Sequence, residues 1–338
     1  MEAIESFIAS LPKAELHVHL VGSASVQTVL ELARRHPDSL VPRTEKELRE
    51  FYAFRDFPHF STVYGAVSSL VTEAEDVADL VRGIARDLAA ENVRYIELTV
   101  SPYTLVRNGL TPAAITQALD VGAADALALH GVQIGYIFDF RGQAADVDAV
   151  QALEHALAQP PRALLGFGIG GIEQARATHQ KVIRTVFDAA AAAGLHCVPH
   201  AGEMTGPETI WEAIDYLHAE RIGHGLNCLA DSRLVAYLRE SQLPLEVCPT
   251  SNFCTRQVTD LARHPLPRML AEGLFVTLNS DDPPMFGTTL SNEYLVAASV
   301  LGLGRKELAM LAANAVRASF LDDGAKESLI REIASVAE

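Results

Sequence analysis

The chain is 338 residues long, 49% apolar and 21% charged, too apolar for a disordered polypeptide and long enough to bury a sizeable core. Its formal net charge of -16 disfavours nucleic acid or an anionic membrane as a partner, and no apolar run reaches the roughly 18 residues that a membrane-spanning helix needs. Glu2 and Glu5 stand where a secretory leader would carry Lys or Arg, and Cys197, Cys228, Cys248 and Cys254 form no C-x-x-C pair, so the chain is expected to be cytoplasmic with reduced thiols.

In chain order, the first predicted strand covers Ala14–Leu20. The stretch from Val21 to Asn92 follows, largely helical in spacing. Within it Val77, Leu80, Val81, Ile84 and Leu88 mark one apolar stripe, with Asn92 as its stop. One connecting helix needs far fewer residues, so residues 21–92 are expected to contain a helical lid. Phe51, Tyr52, Phe54, Phe57, Phe60 and Tyr64 cluster there, and most of the six are expected to pack against one another. Further strands are predicted at Val93–Val100, Val132–Phe140, Ala163–Ile169, Leu195–His200, Arg221–His224, Leu243–Cys248 and Phe275–Asn279, with helical patterns between them. Short, mostly apolar runs of this kind suit a parallel sheet covered on both faces. Eight β-then-α units predict a (β/α)₈ TIM barrel occupying residues 1–338 as one domain. A doubly wound sheet would more often show a glycine fingerprint after its first strand, and none is present.

The chemistry gathers at predicted strand ends. His17 and His19 are two residues apart and so share one face of the first strand. The fifth strand ends in Pro199-His200-Ala201-Gly202-Glu203, the sixth in Gly223-His224-Gly225, and the eighth in Asn279-Ser280-Asp281-Asp282-Pro283. In a barrel these groups share the rim that carries catalysis. Three neutral imidazoles and one carboxylate form a reasonable Zn²⁺ shell with a position left for water, whose pKa zinc lowers to roughly 7. His224 could orient that water or act as base, and Glu203 is placed to protonate a ring nitrogen. Asp282 should point away from Asp281, and adjacent aspartates in different environments commonly divide their roles. The other histidines, from His36 to His264, read as surface or packing residues.

Pro12-Lys13-Ala14-Glu15-Leu16-His17-Val18-His19-Leu20, His200-Ala201-Gly202-Glu203, Arg221-Ile222-Gly223-His224-Gly225, Cys248-Pro249-Thr250-Ser251-Asn252 and Ser280-Asp281-Asp282-Pro283 together resemble the ordered motifs of the adenosine deaminase family in the amidohydrolase superfamily. The resemblance runs from Pro12 to about Phe320. It implies His17, His19, His200 and Asp281 as ligands of one zinc ion per chain. It also implies Glu203 as the acid at purine N1, His224 as the group polarising the water, and Asp282 as the partner of N7. The segment Gly168-Ile169-Gly170-Gly171-Ile172-Glu173 matches the family stretch whose glycine N–H meets purine N3, which points to Gly171. The fourth strand offers no Lys for carbamylation, favouring a mononuclear centre. His218-Ala219-Glu220 imitates half of the cytidine deaminase signature, but no P-C-x-x-C follows.

One position departs from the family. Adenosine deaminases carry Asp after His-x-His-Leu to bind the ribose 5′-hydroxyl; here the residue is Val21, which cannot accept that bond. His-Leu-Val-Gly-Ser is similar to the aminodeoxyfutalosine deaminase branch, whose substrate extends the 5′ position of an adenosine-like nucleoside with an aryl ketone ending in a benzoate. The resemblance thus implies a small-molecule 6-aminopurine nucleoside as partner, with adenosine, adenine or another amidohydrolase substrate as alternatives. Val21, Phe54 and Phe57 are expected near the extension, with Arg55 as one candidate for its carboxylate.

Overall fold

The computed structural model describes residues 2–337. Eight parallel strands run in chain order around a nearly closed barrel: β1 (Lys13–His19), β2 (Val93–Val100), β3 (Gln133–Arg141), β4 (Leu164–Gly170), β5 (His196–Ala201), β6 (Ile222–His224), β7 (Leu245–Val247) and β8 (Val276–Leu278). Closure comes from the chain just past β8. The Asp281 N–H donates to the His17 carbonyl at 2.9 Å, and the His19 N–H donates to the Asp281 carbonyl at 3.1 Å. Every predicted strand is present. The widest discrepancy is at the seventh, which begins at Leu245 and not Leu243, since sequence periodicity marks burial and not the ladder itself.

The segment between β1 and β2 folds into four helices, Val26–Arg35, Glu45–Phe51, Phe57–Ser68 and Ala74–Ala89. Ser25, Thr44 and Asp56 cap the first three, each side chain accepting a backbone N–H in the opening turn. The predicted stripe of the fourth is buried. Asn92 stops it in the left-handed region at φ 62°, a conformation that Asn tolerates better than most residues. Phe54, Phe60 and Phe286 form a satellite core, with ring centroids 5.2–5.7 Å apart.

The barrel interior also holds charge. Arg221, at the entrance to β6, reaches Glu97 on β2 and Glu246 on β7, all three essentially inaccessible. Strands two and seven are not neighbours, so this triad meets inside the barrel. No described helix is long and apolar enough to cross a membrane.

Candidate active site

The ends of β1, β5, β6 and β8 bring the predicted histidines and Asp281 to one place. Side-chain ligand atoms of His17, His19 and His200 lie within 4.8 Å of one another, as do those of His17, His224, Cys248 and Asp281. Asp281 joins the two groups, since its Oδ1 lies 3.2 Å from His19 Nε2 and 3.8 Å from His17 Nε2. Strand alternation explains the first pair: His17 and His19 share the inner face of β1. Gly223 makes room for the rest, because a Cβ there would lie 2.9 Å from His17 Cε1 and 3.1 Å from His200 Cα.

Two of the groups hold strained backbone. His224 and Asp281 have φ of 62° and 66°, the left-handed region, which costs a non-glycine residue on the order of 1–3 kcal/mol. Asp281 N–H and C=O are fixed to β1, and Ser251 Oγ donates to Asp281 Oδ2 at 2.6 Å. Gly202, in the loop that carries Glu203, also has positive φ, and a Cβ there would lie 2.4 Å from Ile210 Cδ1. Below that loop Glu173, buried, accepts from the Met204 N–H, the Thr205 N–H and the Thr205 hydroxyl at 2.6–2.9 Å.

The electrostatics divide the carboxyls. Burial, reinforced by Asp281 and Glu173, raises the Glu203 pKa well above its ordinary range, which favours the protonated form. Burial and the adjacent Asp281 do the same to Asp282, whose Oδ1 is buried without a hydrogen-bond partner. Burial and the neighbouring imidazoles lower His200 well below its usual value and His224 to about 3, leaving both neutral. Burial likewise opposes charge on His19, but Asp282 and Asp281 outweigh it and raise its pKa to about 10. His17 Nδ1 lies 2.8 Å from Glu246 Oε2. Burial works against ionised Glu246, yet Arg221 holds its pKa low, so this carboxylate accepts the Nδ1 proton and leaves the Nε2 lone pair free. That Nε2 is buried with no partner.

An orphaned imidazole nitrogen in a His₃Asp donor set fits a divalent metal ion, with Glu246 as the outer carboxylate that fixes the tautomer. Cys248 is close, but burial raises its thiol pKa far up, and only a thiolate is a good ligand.

The donor cluster opens into a cavity of about 230 Å³, where His19, His200, Glu203, His224, Asp281 and Asp282 form the inner end. Gly171 also lines it, as do Phe57, Phe60 and Tyr64 from the Phe57–Ser68 helix. Val21, Phe54 and Arg55 are not among the lining residues. Val21 and Phe54 are buried in apolar core, and Arg55 is exposed. Gly22 instead touches the site: its Cβ position is 1.5 Å from Asp282 Oδ1, so only glycine fits. Sequence reasoning quoted Arg221 and Ser251 only within motifs, with no role, and missed Glu246, Glu97 and Asp139. A charged residue within an otherwise apolar barrel strand was the available signal for Glu97, Asp139 and Glu246.

A (β/α)₈ barrel with an imidazole-rich donor set and buried carboxyls at its C-terminal rim is the arrangement that metal-dependent hydrolases use. Residues 12–336 match the adenosine deaminase family model. The chain is 48% identical to the aminodeoxyfutalosine deaminase of Streptomyces avermitilis over 98% of its own length and 92% of that protein. In three dimensions it is similar to an adenine deaminase from Arthrobacter aurescens, with a TM-score of 0.91 and 34% identity over 96% of this chain and 98% of the other. A zinc-bound amidohydrolase from Burkholderia ambifaria also has a TM-score of 0.91, at 26% identity over 100% and 94% of the two chains. The protein belongs to the adenosine deaminase family, whose members are hydrolases of C–N bonds.

Proposed function

We propose that this chain deaminates 6-amino-6-deoxyfutalosine, a 6-aminopurine nucleoside whose 5′ position carries an aryl-carboxylate extension, with one zinc ion held by His17, His19, His200 and Asp281. The observation that carries the chemistry is the convergence of that donor set with buried Glu203 and His224, 3.6 Å apart, at one cavity. When bound, the ion lowers the pKa of a coordinated water to roughly 7. His224 Nε2, 3.6 Å from Glu203 Oε2 and 3.9 Å from Asp281 Oδ2, orients the attacking water. The Asn252 amide lies 3.3 Å from His224 Nδ1 and fixes the ring. Glu203 gives its proton to N1 as water adds at C6, which relieves the charge that addition would otherwise leave on the ring. Asp282, whose Oδ1 has no other hydrogen-bond partner, meets N7, and Gly171 approaches N3. His224 takes one proton from the water as it adds and returns it to the departing amine, and the remaining hydroxyl proton goes back to Glu203, so that ammonia leaves C6 and the water oxygen stays as the 6-oxo group. The Phe57–Ser68 helix acts as the lid, its aromatics shielding the reaction from water.

The substrate choice is supported by the 48% identical relative, an aminodeoxyfutalosine deaminase. A panel of 6-amino-6-deoxyfutalosine, adenosine and adenine, followed by ultraviolet absorbance, tests both parts. The extended nucleoside should give the highest kcat/KM. Equal or better turnover of adenosine or adenine refutes the substrate, and no turnover of any refutes the deaminase reading.

A further inference from the structure

The cavity has a second polar end. Arg141 terminates β3, and Arg107 terminates the short Pro102–Arg107 helix that follows β2; both line the same cavity as the histidines. Their guanidinium groups lie 5.1 and 5.2 Å from the Tyr103 ring, which is buried between them. One buried carboxylate serves both. Asp148 Oδ2 accepts from Arg141 Nε at 3.1 Å and Nη2 at 2.9 Å. Arg107 Nη1 stays 3.6 Å from Asp148 Oδ1, beyond hydrogen-bond range. At Asp148 two guanidinium groups share a single carboxylate. Half of the Arg107 side chain and 39% of that of Arg141 remain accessible.

Strand β3 gives the spacing. Asp139 and Arg141 are on the same strand face, about 7 Å apart along it. Asp139 sits near the donor cluster, since a Cβ on Gly170 would be 3.3 Å from Asp139 Oδ2 and 3.9 Å from His200 Cε1. Arg141 is therefore one step further out than the acid beside the cluster. Phe57, Phe60 and Tyr64 line the same cavity. The protein as a whole carries -16 and would repel an anionic substrate, so a local pair of cations at the cavity is the feature that offsets this.

We propose that Arg107 and Arg141 bind the distal anion of the substrate, a carboxylate on an aryl group, while the aminopurine occupies the histidine end. This rests on the deaminase reading above and names the residues that select its substrate. Asp148 holds the Arg141 fork in place, and Arg107, free of hydrogen bonds to Asp148, swings onto the anion. A nucleotide 5′-phosphate would satisfy the arginines equally, but it would leave the aromatic wall without an apolar partner.

The test compares three 6-aminopurine substrates: the 5′-carboxyaryl nucleoside, its neutral methyl ester, and adenosine 5′-monophosphate. Arg107→Gln is the main variant because it leaves the Arg141–Asp148 pair intact, and Arg141→Lys is the second because it keeps the charge and loses the fork. Each should lower the acid-to-ester ratio of kcat/KM about 10- to 100-fold, the worth of a charge-assisted hydrogen bond, chiefly through KM. An unchanged ratio, or equal loss on acid and ester, overturns the proposal and leaves the arginines as supports of Asp148. Preference of the unaltered protein for the monophosphate overturns the aryl carboxylate. If the unaltered protein deaminates none of the three, and neither adenosine nor adenine, the deaminase reading fails. Calorimetric binding of acid against ester to the same proteins then decides the arginine assignment on its own: the acid must bind more tightly, and Arg107→Gln must erase the difference.

Discussion

Replacing Glu246 by Gln changes one atom and should disturb both the fold and the metal centre. Glu246 accepts two hydrogen bonds, from His17 Nδ1 at 2.8 Å and from Arg221 Nε at 2.5 Å. A glutamine amide offers one oxygen, so one donor must face an NH₂ group. The charged guanidinium is the stronger competitor for the oxygen. His17 would then face the amide nitrogen, accept at Nδ1 and carry its proton on Nε2, the orphaned atom that points to the other ligands. Arg221 would also keep only Glu97 as a carboxylate partner. Disrupting a fully buried pair of this kind costs about 3–5 kcal/mol, and loss of a carboxylate behind a metal-bound histidine lowers metal affinity about 10- to 100-fold. Urea denaturation of the metal-loaded and stripped proteins separates the two effects, with a chelator competition giving the zinc affinity. A Gln variant that binds zinc as tightly as the parent, and unfolds within about 1 kcal/mol of it, refutes the tautomer argument.

Glu203→Gln should retain metal and lose about 10²- to 10⁴-fold in kcat, since an amide cannot donate the N1 proton; near-normal turnover removes Glu203 from the chemistry. Gly22→Ala puts a methyl group 1.5 Å from Asp282 Oδ1, so kcat/KM should fall about tenfold or more with circular dichroism unchanged, and full activity would show that Asp282 has freedom to move. Glu293 is buried, and burial outweighs its hydrogen bonds from Thr250 and Thr288 to bring its pKa up from the ordinary carboxyl range to about 7. The native state therefore binds more protons than the unfolded chain across that window, so stability should fall by about 3 kcal/mol as pH rises through it. Glu293→Gln should flatten that decline in urea midpoints, and an unchanged slope assigns it to another group.

The barrel and its donor set were legible in the sequence because both are written in local patterns. Short apolar runs recur with amphipathic helices between them, and each ligand sits at the end of such a run, where fold geometry delivers it to the rim. His17-Val18-His19 needs only strand alternation to put two imidazoles on one face. What supports the donors is not local. Glu246 meets His17 across 229 positions of chain, and Arg221 meets Glu97 across 124, and no periodicity relates such pairs. The lid aromatics show the same limit. Their spacing announces a helical insertion, but the rotation of the Phe57–Ser68 helix decides that Phe57 faces the cavity while Phe54 packs on Phe60 and Phe286. For the same reason Arg55, near those aromatics in sequence, lies outside the cavity, whereas Arg107 and Arg141, far from them in sequence, line it. Closing the barrel brings β2 and β3 against the insertion after β1, and that closure is a property of the whole chain.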